Sequence, residues 1–526
     1  MAKSVLIRGG TVVDGTGAAP FRADVLVKGD RVADIVRDPS GIPADAADET
    51  VDAADALVTP GFIDAHTHSD AYLVIEPDAP SKISQGITTE INGQCGGSVA
   101  PRYGEARLSS DWAAVLGDRL TWRSLAEYRT VLEAARPAVN TVQFVGHNTL
   151  RSSVVGYAAR EATAAELDAM KRLLAESLDA GGFGLTTGLI YQPGRYSTPQ
   201  EVEALAKVAA ERGGFYATHM RSESDAILEA IDEVLDLVRK TGIRAEISHL
   251  KTSGRRNWHK IDAVLAKISD AVAAGLLLGS DRYPFTAAGT DLDVVLPDWA
   301  QEGAALAEMD RLGNPVTRAR IVGEIDASDR DWSTVMIGGT WAEANKKFSG
   351  RTVREIVESS DIVSPGELVC SILEKDGCKT GAFFFGMSED NLARILSQPW
   401  IVPGSDASLR APWGPLGADH PHPRAYATMP EFYRRLRALG IPREQAIARM
   451  TSVPAKRFGL RGRGVLEKGA FADLIVWDEE RFRIRSTFTD PHRFTEGVRC
   501  AMVNGSVPYR DGKFTGDRGG RFLERE

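Results

Sequence analysis

Apolar residues in the middle of the chain fall in short runs. After each run they return every three or four positions along a longer stretch. Eight runs have the length and β-branched content of buried strands: LVTPGFIDAH, GITTEINGQ, NTVQFVGHN, GGFGLTTGL, GFYATHM, RAEISHLK, LLLGSDRYP and WIVPGSDAS. Between them stand amphipathic segments such as TAAELDAMKRLLAESLDAG and PQEVEALAKVAAERGG, each ending at glycine as a helix C-terminus does. Eight strand-then-helix units predict an α/β fold, a (β/α)8 TIM-type barrel.

The two ends of the chain read differently. SVLIRGGTVVDG and ADVLVKGDRVADIV near one end, and GVLEKGAFADLIVWD and VRCAMVNGSVPYRDGK near the other, alternate short β-rich runs with tight turns. Neither end has enough strands to bury a core alone, so both are expected to meet in one small β-sandwich. The longest interval without a strand-like run separates strand seven from strand eight, and it predicts an inserted subdomain over the barrel mouth. The expected organisation is 1–58 for the N-terminal part of the sandwich and 59–285 for barrel strands 1–7. Residues 286–352 then form the inserted subdomain, 353–458 the remainder of the barrel, and 459–526 the C-terminal part of the sandwich.

Composition narrows the class. A chain of 526 residues exceeds one ordinary core, which agrees with a barrel carrying smaller domains. The net charge of −9 speaks against a nucleic-acid surface, which needs a clustered basic face. No apolar stretch is long enough to span a bilayer, and the opening residues lack a secretory apolar core, so neither a membrane nor export is expected. The 4 cysteines show no paired spacing and fit a reducing, cytoplasmic compartment. Oligomeric state is not legible.

The chemistry lies at the strand ends. His66 and His68 close strand one, Cys95 follows strand two, His219 closes strand five, His249 closes strand six and Asp406 follows strand eight. In a barrel those ends converge on one mouth. A single strand-end histidine is ordinarily a hydrogen-bonded structural residue, and a lone cysteine a small hydrophobe. Six such groups at one end of successive strands have no comparable packing explanation, because unpaired polar groups there are costly. Imidazoles, a carboxylate and one thiolate suit zinc, and their surplus over four predicts an open, catalytic site.

These residues resemble the amidohydrolase superfamily and, within it, the D-aminoacylase (N-acyl-D-amino-acid deacylase) family. GFIDAHTH from Gly61 carries the strand-one HxH, and NGQCGGS from Asn92 places a cysteine where many relatives carry a carboxylated lysine. GHNTLR from Gly146, GLIYQPG from Gly188, THMR from Thr218, SHLK from Ser248, DRYPFT from Asp281, PGSD from Pro403 and HPRAY from His422 follow in the family's order, and EKGAFADLIVW from Glu467 resembles the second sandwich half. The resemblance implies a tightly held zinc on Cys95, His219 and His249. His66 and His68 would face a second, weaker position, and Asp406 would serve as general base and then general acid. It also implies a clamp for the substrate's α-carboxylate made of Lys251, Arg424, Tyr191 and Tyr283, arranged for the D-enantiomer.

The expected reaction is therefore hydrolysis of small N-acyl-D-amino acids to a carboxylate and a free D-amino acid. Acidic-substrate members of the family carry an arginine shortly after the YP-aromatic segment, whereas this chain has DLDVVLP from Asp291 to Pro297, which favours neutral or hydrophobic side chains. Arg282 and Arg410 keep N-acyl-D-glutamate or N-acyl-D-aspartate as an alternative. A cyclic-amide hydrolase of the hydantoinase or dihydroorotase type shares the barrel, but its usual carboxylated lysine is replaced here by Cys95. A non-catalytic barrel scaffold is the remote alternative, since every candidate ligand is present. His147 reads as a mouth-lining residue and Asp64 as structural.

Overall fold

The computed structural model describes residues 4–38, 41–108 and 110–525. Each of the eight apolar runs contains a strand of a parallel sheet. Phe62–Asp64, Ile87–Asn92 and Asn140–Gln143 form a three-stranded sheet. Val145–Gly146, Gly184–Gly188, Phe215–His219, Arg244–Ile247, Leu278–Arg282 and Ile401–Pro403 form a six-stranded one in chain order. The two sheets meet at both edges. One run, NTVQFVGHN, supplies a strand to each sheet. At the opposite edge Ala65 N donates to Pro403 O at 3.0 Å and Asp406 N to His66 O at 2.8 Å. Helices such as Ala164–Asp179 and Pro199–Glu211 connect successive strands. Thr163 and Glu166 form a capping box on the first, and Pro199 opens the second under a Thr198 cap.

The first run is divided. Leu57–Pro60 leaves the parallel sheet and joins a nine-stranded sheet built from both ends of the chain. The break falls at Gly61, where a side chain would collide with Thr88 Oγ1 only 2.1 Å away. In the nine-stranded sheet Leu57–Pro60 pairs antiparallel with Leu474–Trp477, so the two termini are hydrogen-bonded to each other. Val5, Ile7, Val25, Val27 and Val58 from one end share a buried cluster with Leu474, Val476 and Met502 from the other.

Between Leu278–Arg282 and Ile401–Pro403 the chain forms a separate antiparallel sheet of Ala288–Asp291, Val335–Ile337 and Gly381–Phe384. Its own core contains Leu312, Ile321, Val353, Ile356, Leu368, Ile372 and Ala382. Residue 352 therefore falls inside this unit rather than at its edge. The helices Val353–Glu358 and Pro365–Asp376 pack on it and not on the parallel sheets.

Trp477 ties the terminal sheet to the parallel core. Its ring lies 6.0 Å from Phe62, 5.2 Å from Tyr433 and 4.8 Å from Phe482, and its indole N–H donates to Thr59 Oγ1 at 3.2 Å. Trp477→Ala opens a large cavity at this junction. It is expected to destabilise the fold by about 3–5 kcal/mol, read as a lowered urea midpoint.

Candidate metal centre

The candidate ligands come together at the C-terminal ends of the parallel strands. Cys95 Sγ lies 3.3 Å from His66 Nε2, 3.3 Å from His249 Nε2 and 3.8 Å from His219 Nδ1. Asp406 Oδ1 is 3.4 Å from His66 Nε2 and 3.1 Å from His68 Nε2. The expected trio of Cys95, His219 and His249 is thus assembled, with His66 as close to the sulfur as His249 is. Within 4.8 Å of one another, two donor groups share His249: His66, Cys95, His249 and Asp406 in one, His219, Glu223 and His249 in the other. His68 belongs to neither, though its Nε2 lies 3.1 Å from Asp406 and its ring 5.3 Å from that of His66.

Local backbone geometry serves this convergence. Cys95 (φ 53°), His249 (φ 37°) and Asp406 (φ 49°) are all left-handed, a conformation that residues with a side chain adopt rarely and keep only when their surroundings fix it. Each stands just past a strand end, where the turn swings the side chain into the mouth.

The electrostatics are those of a cation site. Burial disfavours a charged sulfur, yet the adjoining His66 and His249 outweigh it and hold the Cys95 thiol well below its ordinary pKa. Burial likewise opposes ionisation of Asp406, but the Arg424 guanidinium, with Nη1 2.8 Å from Oδ2, and the neighbouring imidazoles keep its carboxyl well below the usual range. His219 Nε2 is buried and makes no hydrogen bond, with a Glu223 oxygen 3.5 Å off. A thiolate, three imidazoles and a carboxylate, one nitrogen of which lacks a partner, fit zinc by donor type and by charge.

The residues expected to bind substrate line the same mouth. Tyr191 stacks edge-on against His219 at 5.0 Å. Lys251 Nζ stands 5.8 Å and Arg424 Cζ 4.7 Å from the centre of the Tyr283 ring. Both cations already face carboxylates of the chain, Lys251 that of Glu223 and Arg424 that of Asp406. The inserted unit touches this rim: Arg424 Nη2 donates to Gly289 O at 3.2 Å, and His422 Nε2 lies 3.1 Å from Ala287 O. His147 pairs with Glu201 at 2.8 Å and belongs to neither donor group.

Two residues of the site were not singled out in the sequence. Glu223 lies 2.9 Å from His249 Nδ1 and is held ionised, against its burial, by His219, Lys251 and His249. Its position four residues after His219 was the available signal. Asp281 orients two of the candidate ligands: its Oδ2 is 3.2 Å from His66 Nδ1 and its Oδ1 accepts from His249 N at 2.9 Å. Like Asp406, it is an acidic residue at a strand end.

A sequence profile of the amidohydrolase family matches residues 49–288 and 379–509. An N-acyl-D-glutamate deacylase of Alcaligenes xylosoxydans xylosoxydans is 34% identical over 99% of this chain and 96% of its own length. A D-aminoacylase of the same organism is 33% identical over 99% and 97%. The structure of N-acyl-D-glutamate deacylase from Bordetella bronchiseptica, complexed with zinc and a phosphonate mimic of the tetrahedral intermediate, superimposes with a TM-score of 0.83 at 32% identity, covering 100% of both chains.

Proposed function

Since the chain belongs to the amidohydrolase family, and within it to the D-aminoacylase group, we propose that it hydrolyses the amide bond of N-acyl-D-amino acids with neutral or hydrophobic side chains. The observation that carries this reading is the gathering of Cys95, His66, His249 and Asp406 within 4.8 Å of one another, with His219 Nδ1 3.8 Å from the sulfur. Cys95, His219 and His249 would hold zinc, and His66 and His68 would face a second position of lower affinity. The sulfur, equidistant from His66 and His249, adjoins both. Zinc bound there supplies the acidification of water and the polarisation of the scissile carbonyl.

The chain's own groups do the rest. Asp406, ionised at neutral pH, takes the proton of the attacking water and returns it to the amine nitrogen as the C–N bond breaks. His68 at 3.1 Å and Arg424 at 2.8 Å fix the orientation of that carboxylate. Lys251, Arg424, Tyr191 and Tyr283 receive the substrate's α-carboxylate, the two cations sharing their charge between substrate and the carboxylates they already face.

Of the two arginines that keep the acidic alternative open, Arg410 is already paired, which supports the preference for neutral side chains. Arg410 pairs with Asp419 at 3.0 Å. Arg282 stacks on the Tyr283 ring at 4.0 Å and donates to Phe285 O at 2.8 Å, while its buried Nε and Nη1 have no hydrogen-bond partner among the described residues and keep the acidic alternative open.

We read the two parallel sheets as one closed (β/α)8 barrel, which the hydrogen bonds at both of their edges support, and the nine-stranded sheet as a β-sandwich of both termini. The inserted subdomain then runs from about residue 286 to about residue 384, the end of its third strand. Among the described residues no helix is long and apolar enough to cross a membrane. The four cysteines are free, which supports a reducing, cytoplasmic setting.

Amine release from paired N-acetyl-D- and N-acetyl-L-methionine, leucine, phenylalanine and glutamate tests the reading on zinc-loaded protein. Turnover is expected in the D-series alone, with glutamate the poorest. Zinc-bound protein that releases amine from neither series would overturn it and favour cyclic amides.

A further inference from the structure

We propose that Lys82 is a positioning residue for Asp406, a role that rests on the hydrolase reading above. Lys82 lies in the short helix Pro80–Ile83 and its side chain is entirely buried. A buried ammonium persists only where acceptors surround it. Here Nζ donates to Asp64 Oδ2 at 3.0 Å, Ser405 Oγ at 3.0 Å and Ala407 O at 2.9 Å, with Glu90 Oε1 at 3.1 Å.

Two of these acceptors, Ser405 and Ala407, are the immediate neighbours of Asp406 in the chain. A third works on the same loop, because Asp64 Oδ1 accepts from Ser405 N at 2.7 Å. The lysine therefore holds the Ser405 hydroxyl on one side of Asp406 and the Ala407 carbonyl on the other, without a hydrogen bond to the Asp406 carboxylate. Asp406 N is pinned from the other direction by His66 O at 2.8 Å. Between these anchors the left-handed backbone of Asp406 (φ 49°) is held with its carboxylate 3.1 Å from His68. An apolar residue of equal length would fill the same space, but it would leave the loop carrying Asp406 without these donors. The arrangement makes the placement of Asp406, rather than core packing alone, what the buried charge accomplishes.

The test compares Lys82→Met, Ser405→Ala and Ser405→Thr with wild type in the zinc-loaded full chain, reading kcat, KM and bound zinc separately. Lys82→Met is expected to lower kcat by about 100-fold, as a misplaced catalytic group does. Ser405→Ala should lower it by about tenfold, with KM and zinc content within about twofold of wild type, and Ser405→Thr should restore it. Should Lys82→Met not fold, Ser405→Ala decides the matter. Wild-type kcat in Ser405→Ala, or a fall matched by lost zinc or raised KM, would overturn the proposal. A crystal structure of zinc-loaded Ser405→Ala separates this question from the deacylase reading, because it needs no substrate. An Asp406 carboxylate displaced from His68 supports the positioning role; one left in place rules it out, whatever the enzyme hydrolyses.

Discussion

Asp406→Asn is expected to cut kcat for N-acyl-D-amino acids by about 10²- to 10⁴-fold while zinc remains bound at wild-type stoichiometry. Asparagine keeps the size of the side chain and one acceptor for His68, so the cluster loses little of its shape. What it loses is a base. The wild-type carboxylate is held ionised by Arg424 and the imidazoles in spite of its burial, and is therefore ready to accept a proton throughout the neutral range. The amide neither takes that proton nor returns it to the leaving nitrogen, so both proton transfers suffer. Ground-state binding should change less, because Lys251 and the tyrosines are intact, and the loss is expected in kcat more than in KM. Amine release under saturating substrate, with metal content measured on the same sample, checks this. Retained turnover in a zinc-replete variant would remove Asp406 from the proton path and leave Glu223 and Asp281 as carboxylates in contact with the candidate ligands.

The parallel strands were legible because strands buried on both faces read as continuous apolar runs, and such runs are conspicuous between amphipathic helices. The extent of the insertion was not. Val353–Glu358 and Pro365–Asp376 have the same amphipathic pattern as helices on the parallel sheets, and only tertiary contacts show which sheet their apolar faces cover. The candidate metal ligands were legible because histidine and cysteine are scarce and their strand-end positions repeat. Glu223 was not, since a glutamate within the polar stretch RSESD looks like surface until Lys251 and His249 close on it. Lys82 is the sharpest case. A lysine beside serine and proline reads as a solvated turn, and nothing local announces the carboxylates that surround it, which come from strands one and two.

Cys95→Ser is expected to weaken zinc binding by more than about 100-fold, the upper range for disturbing a residue that merely supports a ligand. The loss follows from donor chemistry. The Cys95 sulfur stands within 3.8 Å of three imidazole nitrogens and is the group all three share. Held as a thiolate, it brings a soft donor and a negative charge to a site whose other candidate donors are imidazoles and the carboxylates of Asp406 and Glu223. A serine hydroxyl is harder, stays protonated near neutral pH and reaches less far. Equilibrium dialysis against buffered zinc measures the affinity, and activity restored to chelator-treated protein on zinc titration measures its consequence. Wild type should recover full turnover at low free zinc, whereas Cys95→Ser should need a concentration higher by the ratio of the affinities. Equal affinities would mean that the histidines and Asp406 hold the metal without the sulfur. In that case the distinction from cyclic-amide hydrolases drawn from Cys95 would lose its footing, and cyclic substrates would become the next assay.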